Sequence, residues 1–363
     1  MDTDHLFQAM VQQQASDLFL KVGSRPCVRV RGQLQPIGAE PLSRADLLQL
    51  AHDLMGPERQ QLFQRERELN FAFAIEAVGR FRANVLWQRG SLALVIRRIQ
   101  DCLPTFEELN LPAAVLTRFT QARQGLVLVS GPTGSGKSTT VAAMLDAINR
   151  TQACHIVTLE DPIEFLFEER QAVINQREVG VDTKSFSEGL KSVLRQSPDV
   201  LFVSDLRDRE AMEAALVAAE SGQLVLSCIH TTNAMTTIER LVTSFPPHQQ
   251  SVVRFRLSLV LKGIVSLRLL PRLTGQGQIP ACEILVTTPR IRELIQTGAV
   301  DQIPPLLQDG ALQGMQTLTQ ALYHLVRHGE VALDEARAIA DKPEELDLML
   351  REVRGIRDSH DAR

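Results

Sequence analysis

The segment 131–139 constrains this chain more than any other part of its sequence. It reads GPTGSGKST and lies between an apolar run at 126–129 and a helix-forming stretch at 141–148. A short buried strand, a glycine-rich turn and a helix start form the context in which backbone N–H groups and the positive end of a helix dipole bind phosphate. A glycine-rich loop that only joins a strand to an ordinary helix would not need the Lys-Ser pair. The sequence therefore predicts a nucleoside triphosphate site.

The residues of this loop have separate expected roles. Lys137 can reach the β- and γ-phosphates, and Ser138 can ligate Mg²⁺. The phosphates are expected to lie against the whole loop, which comprises Gly131, Pro132, Thr133, Gly134, Ser135, Gly136, Lys137, Ser138 and Thr139.

The composition predicts a soluble globular protein rather than a membrane or nucleic-acid-binding one. At about 150 residues per domain, 363 residues suggest two domains. The net charge is −4 and no basic block is present, so nothing indicates direct nucleic-acid binding. The longest apolar run, 257–270, is interrupted by Lys262 and Arg268 and is shorter than the roughly 18 residues of a membrane span.

The expected compartment is the cytoplasm. The first five residues are acidic and no apolar stretch follows them, so they do not form a signal peptide. The five cysteines are scattered and contain no C-x-x-C pair, which suits a reducing compartment and excludes a zinc site of that type.

Residues 1–100 are expected to form a small α+β domain. The arrangement of apolar residues predicts helices at 4–14 and 45–55, the second capped by Ser43, and strands at 17–22, 27–31, 69–75, 80–88 and 91–99. In the strand at 80–88, Phe81, Ala83 and Val85 alternate with polar residues, which predicts a sheet with one face on a core. Residues 101–112, with two prolines, are expected to be a linker.

Residues 113–350 are expected to form an α/β domain. Strands predicted at 125–130, 155–160, 199–204 and 223–229 alternate with helical or loop segments, as in a parallel, doubly wound sheet. Thr288 and Pro289 should cap a helix that ends at Thr297 and buries Ile291, Leu294 and Ile295. A helical region is expected at 315–349, followed by a frayed polar tail at 351–363.

Acidic and polar residues follow three of the predicted strands. Glu160 and Glu164 follow the second strand, where they could orient water or the outer shell of Mg²⁺; a solvated acidic turn is the simpler alternative. Asp205 ends an apolar strand, as does the Walker B carboxylate that governs Mg²⁺ or the attacking water. His230 ends the fourth strand and is a candidate γ-phosphate sensor, although a lone histidine is more often structural.

The motifs together resemble the PilT/PilU branch of the secretion ATPases, which are hexameric motors that retract type IV pili. The resemblance covers about residues 1–350. It rests on the following segments: GPTGSGKSTT at 131–140, EDPIEF at 160–165, NQREVG at 175–180, LRQSPD at 194–199, AESG at 219–222, HTT at 230–232 and GMQTL at 314–318.

The resemblance implies a PAS-like domain at 1–100 and a RecA-like P-loop ATPase domain at 113–350. It also implies ATP and Mg²⁺ as cofactors, a homo-hexamer, and an inner-membrane pilus platform protein as partner, to which this cytoplasmic protein would bind peripherally. In that family, arginines of the N-terminal domain help to complete the nucleotide site, and the matching positions are Arg82 and Arg97. Without the resemblance, an arginine on an open sheet face would be taken as solvated.

Two departures from the family pattern bear on activity. The Walker B strand ends in Gly-Glu in the family and in Ser204 and Asp205 here, so the carboxylate is one methylene shorter. A displacement of about 1 Å can slow a reaction ~10²-fold, and Ser204 could compensate by ligating Mg²⁺ or a water. The retraction branch typically carries AIRNLIRE where this chain has RIRELIQT at 290–297, without the final charged pair.

Three functions stay open at this point. The first is an ATP-driven motor that retracts pili. The second is a pilus-assembly or type II secretion ATPase, although those resemble longer chains that usually carry a tetracysteine module. The third is a catalytically weak accessory subunit that acts with an active paralogous retraction ATPase, which the Ser204-Asp205 change would favour. A DNA-translocating ATPase is disfavoured by the absence of a basic stripe.

Overall fold

The computed structural model describes residues 3–360 apart from 31, 39, 77, 100–102 and 276, with side chains from 5 to 351. It divides into two compact units. The first contains residues 1–102 together with 164–166, and the second contains residues 103–163 together with 167–363.

The first unit is an antiparallel sheet with two helices. The elements are α1 (Thr3–Gln12), β1 (Asp17–Lys21), β2 (Cys27–Val30), β3 (Gln33–Pro36), α2 (Arg44–Glu66), β4 (Glu68–Ile75), β5 (Gly79–Gln88) and β6 (Ser91–Arg98). The six strands follow the order β3-β2-β1-β6-β5-β4, and each pair is antiparallel.

The core of the first unit follows the predicted alternation of β5. Phe81, Ala83 and Val85 are buried, and the Phe81 ring packs against the rings of Phe7 and Phe73 at centroid distances of 5.0 Å and 5.6 Å. The polar residues of β5 lie on the other face of the sheet, which is half-buried.

Two elements of the first unit differ from the prediction, one in its length and one by having been missed. Ser43 caps α2 as expected, but the helix kinks at Gly56, where φ is 65°, and resumes with Pro57 to end at Glu66 rather than at residue 55. Strand β3 was not predicted, because its four residues are exposed and show no apolar alternation. Position 31, the predicted end of β2, lies outside the described residues.

The second unit is a mixed, mainly parallel sheet with helices. Its elements are α3 (Ala113–Thr120), β7 (Gly125–Ser130), α4 (Lys137–Thr151), β8 (His155–Glu160), β9 (Val173–Glu178), α5 (Phe186–Val193), β10 (Val200–Val203), α6 (Arg209–Glu220), β11 (Leu224–Ile229), α7 (Ala234–Thr243), α8 (Gln250–Val260), β12 (Leu261–Pro271), β13 (Gln278–Val286), α9 (Pro289–Thr297), α10 (Ile303–Asp309), α11 (Leu318–Arg327), α12 (Leu333–Ile339) and α13 (Pro343–His360). Short 3₁₀ turns occupy Pro247–Gln249, Val300–Gln302 and Ala311–Gln313.

The sheet of the second unit has the strand order β13-β12-β7-β11-β10-β8-β9, and only the β12–β13 pair is antiparallel. Strands β7, β8, β10 and β11 match the four predicted strands within one residue at each end. Because parallel strands end at the same edge, this order brings the phosphate loop and the segments after β8, β10 and β11 together. The predicted α/β class is confirmed.

Strands β9, β12 and β13 of this sheet were not predicted, and the last helix of the unit is longer than predicted. Helix α8 ends at Val260 and β12 begins at Leu261 without an intervening breaker, so the apolar run 257–270 hid the change from helix to strand. Helix α9 is capped by Thr288 and buries Ile291, Leu294 and Ile295 as predicted. Helix α13 continues to His360, beyond the predicted end of the helical region at 349. Across the described part of the chain, no helix is long and apolar enough to span a membrane.

The packing of Phe81 generates a stability prediction. Phe81→Ala should lower the free energy of unfolding of the first unit by about 3–5 kcal/mol, because it leaves a cavity beside Phe7 and Phe73. Leu34→Ala, at an exposed position of β3, should change it by no more than about 0.5 kcal/mol. Denaturant unfolding followed by the fluorescence of Trp87, the single tryptophan of the chain, measures both variants. Equal midpoints for the two variants would contradict the packing described.

Candidate nucleotide site

Two glycines determine the conformation of the phosphate loop. Gly131 follows the buried strand β7 with a φ of +150°, and a Cβ there would lie 2.3 Å from Ser135 Oγ and 2.7 Å from the carbonyl oxygen of Leu267. Gly136 is the N-cap of α4 and has a φ of +91°. Only glycine fits both requirements, because a side chain would clash at the first position and strain the backbone at the second. Between these two glycines the chain leaves the end of β7 and turns into the N-terminus of α4.

The other loop residues differ in exposure. Pro132, Thr133 and Gly134 form the exposed tip, Ser135 is buried, and Ser138 and Thr139 are half-buried in the first turn of α4. Ser138 and Thr139 therefore stand where the positive end of the helix dipole lies. The nine predicted residues are consecutive: residues 131–136 join β7 to α4, and Lys137, Ser138 and Thr139 are the first residues of α4.

The ammonium group of Lys137 is held inside the loop. Lys137 is only 7% exposed, and its Nζ donates hydrogen bonds to the carbonyl oxygens of Gly131 at 3.0 Å and Pro132 at 2.9 Å. The same Nζ lies 3.4 Å from Nδ1 of His230. This cation is buried at a helix N-terminus and contacts two carbonyl dipoles. It therefore lies next to the place where an anionic ligand would bind.

His230 connects Lys137 with Asp205. Its Nε2 lies 3.3 Å from Asp205 Oδ2. An ammonium group can only donate, so Nδ1 of His230 accepts and Nε2 carries the proton that faces the carboxylate. The histidine predicted from its place at a strand end is therefore in contact with both other predicted groups.

Asp205 is a buried carboxylate with two cationic or donor neighbours. Besides His230, Arg207 donates from Nε to Asp205 Oδ2 at 2.7 Å and from Nη1 to Asp161 Oδ2 at 3.2 Å. The hydrogen bond to Asp205 raises the pKa of Arg207 above its usual range, so this guanidinium stays charged. The Asp161 N–H donates to Ser204 Oγ at 3.2 Å, which engages the hydroxyl predicted to compensate for the short carboxylate.

The two predicted glutamates have different surroundings. Glu160 is 4% exposed at the end of β8, where Oε1 accepts hydrogen bonds from Thr158 Oγ1 at 2.6 Å and Gln176 Nε2 at 3.2 Å. Glu160 is therefore not part of a solvated acidic turn. Glu164 is exposed and groups with the first unit.

Arg82 and Arg97 are cross-strand neighbours in the first unit. They are directly opposite each other in the β5–β6 pair, so they share a face of the sheet. Arg97 is largely exposed, and its Nε donates to Asp17 Oδ1 at 2.8 Å, while Arg29 lies 3.4 Å from the other oxygen of Asp17. Like charges opposite each other are destabilising, and the buried Asp17 offsets this repulsion.

Sequence reasoning missed Arg207 and Asp17 as parts of these two groups. Arg207 lies two residues beyond Asp205, and its position in the Ser-Asp-Leu-Arg-Asp segment is the signal that could have drawn attention to it. Asp17 is 80 residues from Arg97 in sequence, and only the β1–β6 pairing brings them together. No local pattern could have found that contact.

The fold and the site define a P-loop nucleotide-binding domain, preceded by a smaller α+β unit. The type II/IV secretion system protein family matches residues 2–303. The chain is 42% identical to the type IV pilus retraction ATPase PilT of Pseudomonas aeruginosa over 95% of its own length and 99% of that protein, and 39% identical to the type IV pilus ATPase PilU of the same organism over 97% and 92%.

A solved structure has the same fold. The crystal structure of the pilus retraction motor PilT with bound ADP superposes with a TM-score of 0.89 at 41% identity, covering 96% of this chain and 99% of that one. The chain therefore belongs to the type II/IV secretion system protein family, and two of its near-full-length relatives are the PilT and PilU ATPases. The PAS-like character of the first unit and the roles of individual site residues stay predictions.

The position of Lys137 generates a binding prediction. Lys137→Ala should weaken nucleotide binding by at least tenfold, since one charge-assisted hydrogen bond contributes about 1.5–3 kcal/mol. The fold should survive, because the apolar neighbours of β7 and α4 form the core without this side chain. A fluorescent ATP analogue measures affinity, and thermal melting checks the fold. Lys191→Ala, on the exposed side of α5, is the control and should bind normally. Unchanged affinity in a folded Lys137→Ala protein would exclude this loop as the phosphate site.

Proposed function

We propose that this chain is an ATP-hydrolysing motor subunit that drives the retraction of type IV pili. The observation that carries the proposal is the contact series Lys137, His230 and Asp205 at the phosphate loop of a chain similar over nearly its whole length to a retraction ATPase. Its two contacts join the predicted phosphate-binding cation to the predicted carboxylate through His230. The similarity supplies the kind of work to which ATP hydrolysis would be coupled.

Each residue of the series has a role that follows from its chemistry. Lys137 binds the β- and γ-phosphates, and Asp205 accepts a hydrogen bond from the attacking water and orients it. His230 contacts both Lys137 and Asp205. Loss of the γ-phosphate next to Lys137 therefore changes the charge in the surroundings of the His230 ring. Arg207 fixes the orientation of the Asp205 side chain by a hydrogen bond. Glu160 accepts hydrogen bonds from Thr158 and Gln176 and orients polar groups at the end of β8.

The residues at the loop fit Mg²⁺ as the second cofactor. In the described ranges, no group of three or more histidine, cysteine or acidic side chains could hold a metal alone. Mg²⁺ commonly takes one or two protein ligands together with phosphate oxygens, and the Ser138 hydroxyl in the first turn of α4 suits that use. When bound, Mg²⁺ neutralises charge on the phosphates. Ser204 is the less suited of the two predicted ligands, because its Oγ already accepts from the Asp161 N–H.

The assembly that we propose is a homo-hexamer in which Arg82 and Arg97 of one subunit complete the site of a neighbour. Their paired position on one face of the sheet suits contact with a phosphate, since guanidinium groups stabilise charge on a transferred phosphoryl group. Asp17 fixes the direction of Arg97. The partner that receives the force is an inner-membrane pilus platform protein, which the cytoplasmic ring contacts peripherally.

The exposed face of α9 is a candidate for the step that transmits force. Arg292 and Gln296 lie on that face, while Arg290 and Glu293 form an ion pair at 2.7 Å. The assembly and type II secretion alternatives are not favoured, because two near-full-length relatives are a pilus retraction ATPase and the PilU ATPase. An accessory role beside a paralogous ATPase is tested by the turnover of the purified chain alone.

A genetic experiment tests the proposed function. Deleting the gene for this chain in its own host should abolish twitching motility and leave pili on the cell surface. The intact gene should restore motility, and a Lys137→Ala gene expressed at the same level should not. A deletion strain that loses its surface pili would instead indicate an assembly function, and unchanged motility would contradict the proposal.

The paired arginines generate a prediction about assembly. Arg97→Ala and Lys137→Ala proteins should each be nearly inactive, and a mixture of the two should partly recover ATP hydrolysis. Recovery is expected because some interfaces in mixed rings combine the intact Arg97 of one subunit with the intact Lys137 of another. Turnover measured against subunit ratio, with ring formation followed by light scattering, provides the test. Full hydrolysis by isolated monomers would show that the arginines act elsewhere.

The short carboxylate generates a second prediction. Asp205→Glu should raise turnover, by about tenfold or more, because the longer side chain restores the reach of the family's glutamate. Asp205→Asn, which keeps the size but removes the charge, is the matched control and should lower turnover. Steady-state kcat measures both. A fall in the glutamate variant would mean that the backbone already suits aspartate, and no change in either variant would leave Asp205 without a catalytic role.

A further inference from the structure

Three buried polar side chains form a row across the sheet beside the phosphate loop. Ser130 on β7 is directly opposite Ser266 on β12, and Ser266 is directly opposite Glu283 on β13. Ser130 Oγ donates to Ser266 Oγ at 2.8 Å, and the Ser266 hydroxyl lowers the pKa of the neighbouring Glu283. Ser130 is the residue immediately before Gly131, so the row begins where the phosphate loop begins.

Glu283 connects this row with the loop that carries His230. Its Oε1 accepts a hydrogen bond of 2.7 Å from the N–H of Ala234, the first residue of α7. A second contact holds the same loop from β12, because Arg268 Nη2 donates to the carbonyl oxygen of Thr232 at 2.9 Å. The segment 230–234 is thus attached at two points to the β12–β13 hairpin.

The surroundings of Glu283 make its charge sensitive to pH. It is 8% exposed, and its pKa is raised from 4.5 to about 7, mainly by burial. The hydrogen bond from the Ala234 N–H lowers the pKa, Asp341 raises it and Arg268 lowers it. Lys342 and Glu345 lie on the wall of the same cavity of about 300 Å³. The lining residues from α10 and α11 carry no charge.

We propose that Glu283 is a positioning residue of the nucleotide site, whose carboxylate fixes the start of α7 and thereby the contact of His230 with Lys137 and Asp205. The proposal rests on the proposed role of His230 in ATP hydrolysis. It extends the site to β13, a strand that contributes no residue to the phosphate loop. The row Ser130–Ser266–Glu283 runs across β7, β12 and β13 from the start of the phosphate loop to the residue that holds the start of α7.

A purely structural role predicts a different response to substitution. Glutamine keeps an acceptor for the Ala234 N–H, and it removes a carboxylate whose burial opposes ionisation. Between pH 4.5 and about 7 the folded protein holds a proton that the unfolded chain has released. Stability therefore falls as the pH rises through this range, and glutamine removes that dependence. A structural role alone would leave Glu283→Gln at least as stable and as active as the wild type.

The experiment compares the full-length wild type with Glu283→Gln, Glu283→Asp and an exposed control on α12, Glu335→Gln. Glu283→Gln should lower kcat by about fivefold above pH 7, since a charged acceptor is stronger than a neutral one, and should leave KM unchanged. In the wild type, kcat should rise as the pH passes through about 7 and Glu283 ionises, and this rise should disappear in Glu283→Gln. Glu283→Asp should retain that rise at a lower rate, because it keeps the charge but shortens the reach. Glu335→Gln should behave as the wild type.

Amide hydrogen exchange at Ala234 provides a readout that does not depend on turnover. Exchange should be faster in Glu283→Gln than in the wild type. Wild-type exchange together with a wild-type pH profile in Glu283→Gln would overturn the proposal, as would faster exchange without any loss of kcat. If the wild type shows no ATP hydrolysis, or if its hydrolysis persists in Lys137→Ala, the proposed function fails instead. The exchange rate at Ala234 still decides whether Glu283 holds the segment 230–234.

Discussion

The buried ammonium group of Lys137 is the interaction on which the site depends. Two carbonyl oxygens of the phosphate loop accept from it, and a histidine from a different strand end lies next to it. The loop can curve around this cation only because Gly131 and Gly136 adopt conformations that side chains disfavour. The chain that follows, from His230 through Asp205 and Arg207 to Asp161, extends this contact across the ends of β11, β10 and β8.

The parallel sheet explains why these groups meet although they are far apart in sequence. Strands β7, β11, β10 and β8 are adjacent and run in the same direction, so each delivers its next residue to one edge. The buried carboxylates at that edge each face a cation or a hydrogen-bond donor. These partners allow Asp205 and Glu160 to be buried, since a buried carboxylate without a partner would be costly.

Sequence patterns predicted the central part of this arrangement and little of its support. The motif at 131–139 and the four apolar strands have local signals, and they placed Lys137, Asp205 and His230 at one edge. The hairpin β12–β13 escaped prediction because a helix passes directly into a strand at Leu261. Contacts such as Arg97 with Asp17, or Glu283 with Ala234, join distant segments through strand pairing, and no spacing in the sequence encodes them. The supporting residues therefore emerge only from the fold.

A structure of the full-length protein with a non-hydrolysable ATP analogue tests the central claim most directly. The account predicts that the phosphates lie against residues 131–139, with the β- and γ-phosphate oxygens within hydrogen-bond distance of Lys137 Nζ and with His230 and Asp205 facing the terminal phosphate. An analogue bound at another place, or bound at the loop without contact to Lys137, would contradict the account.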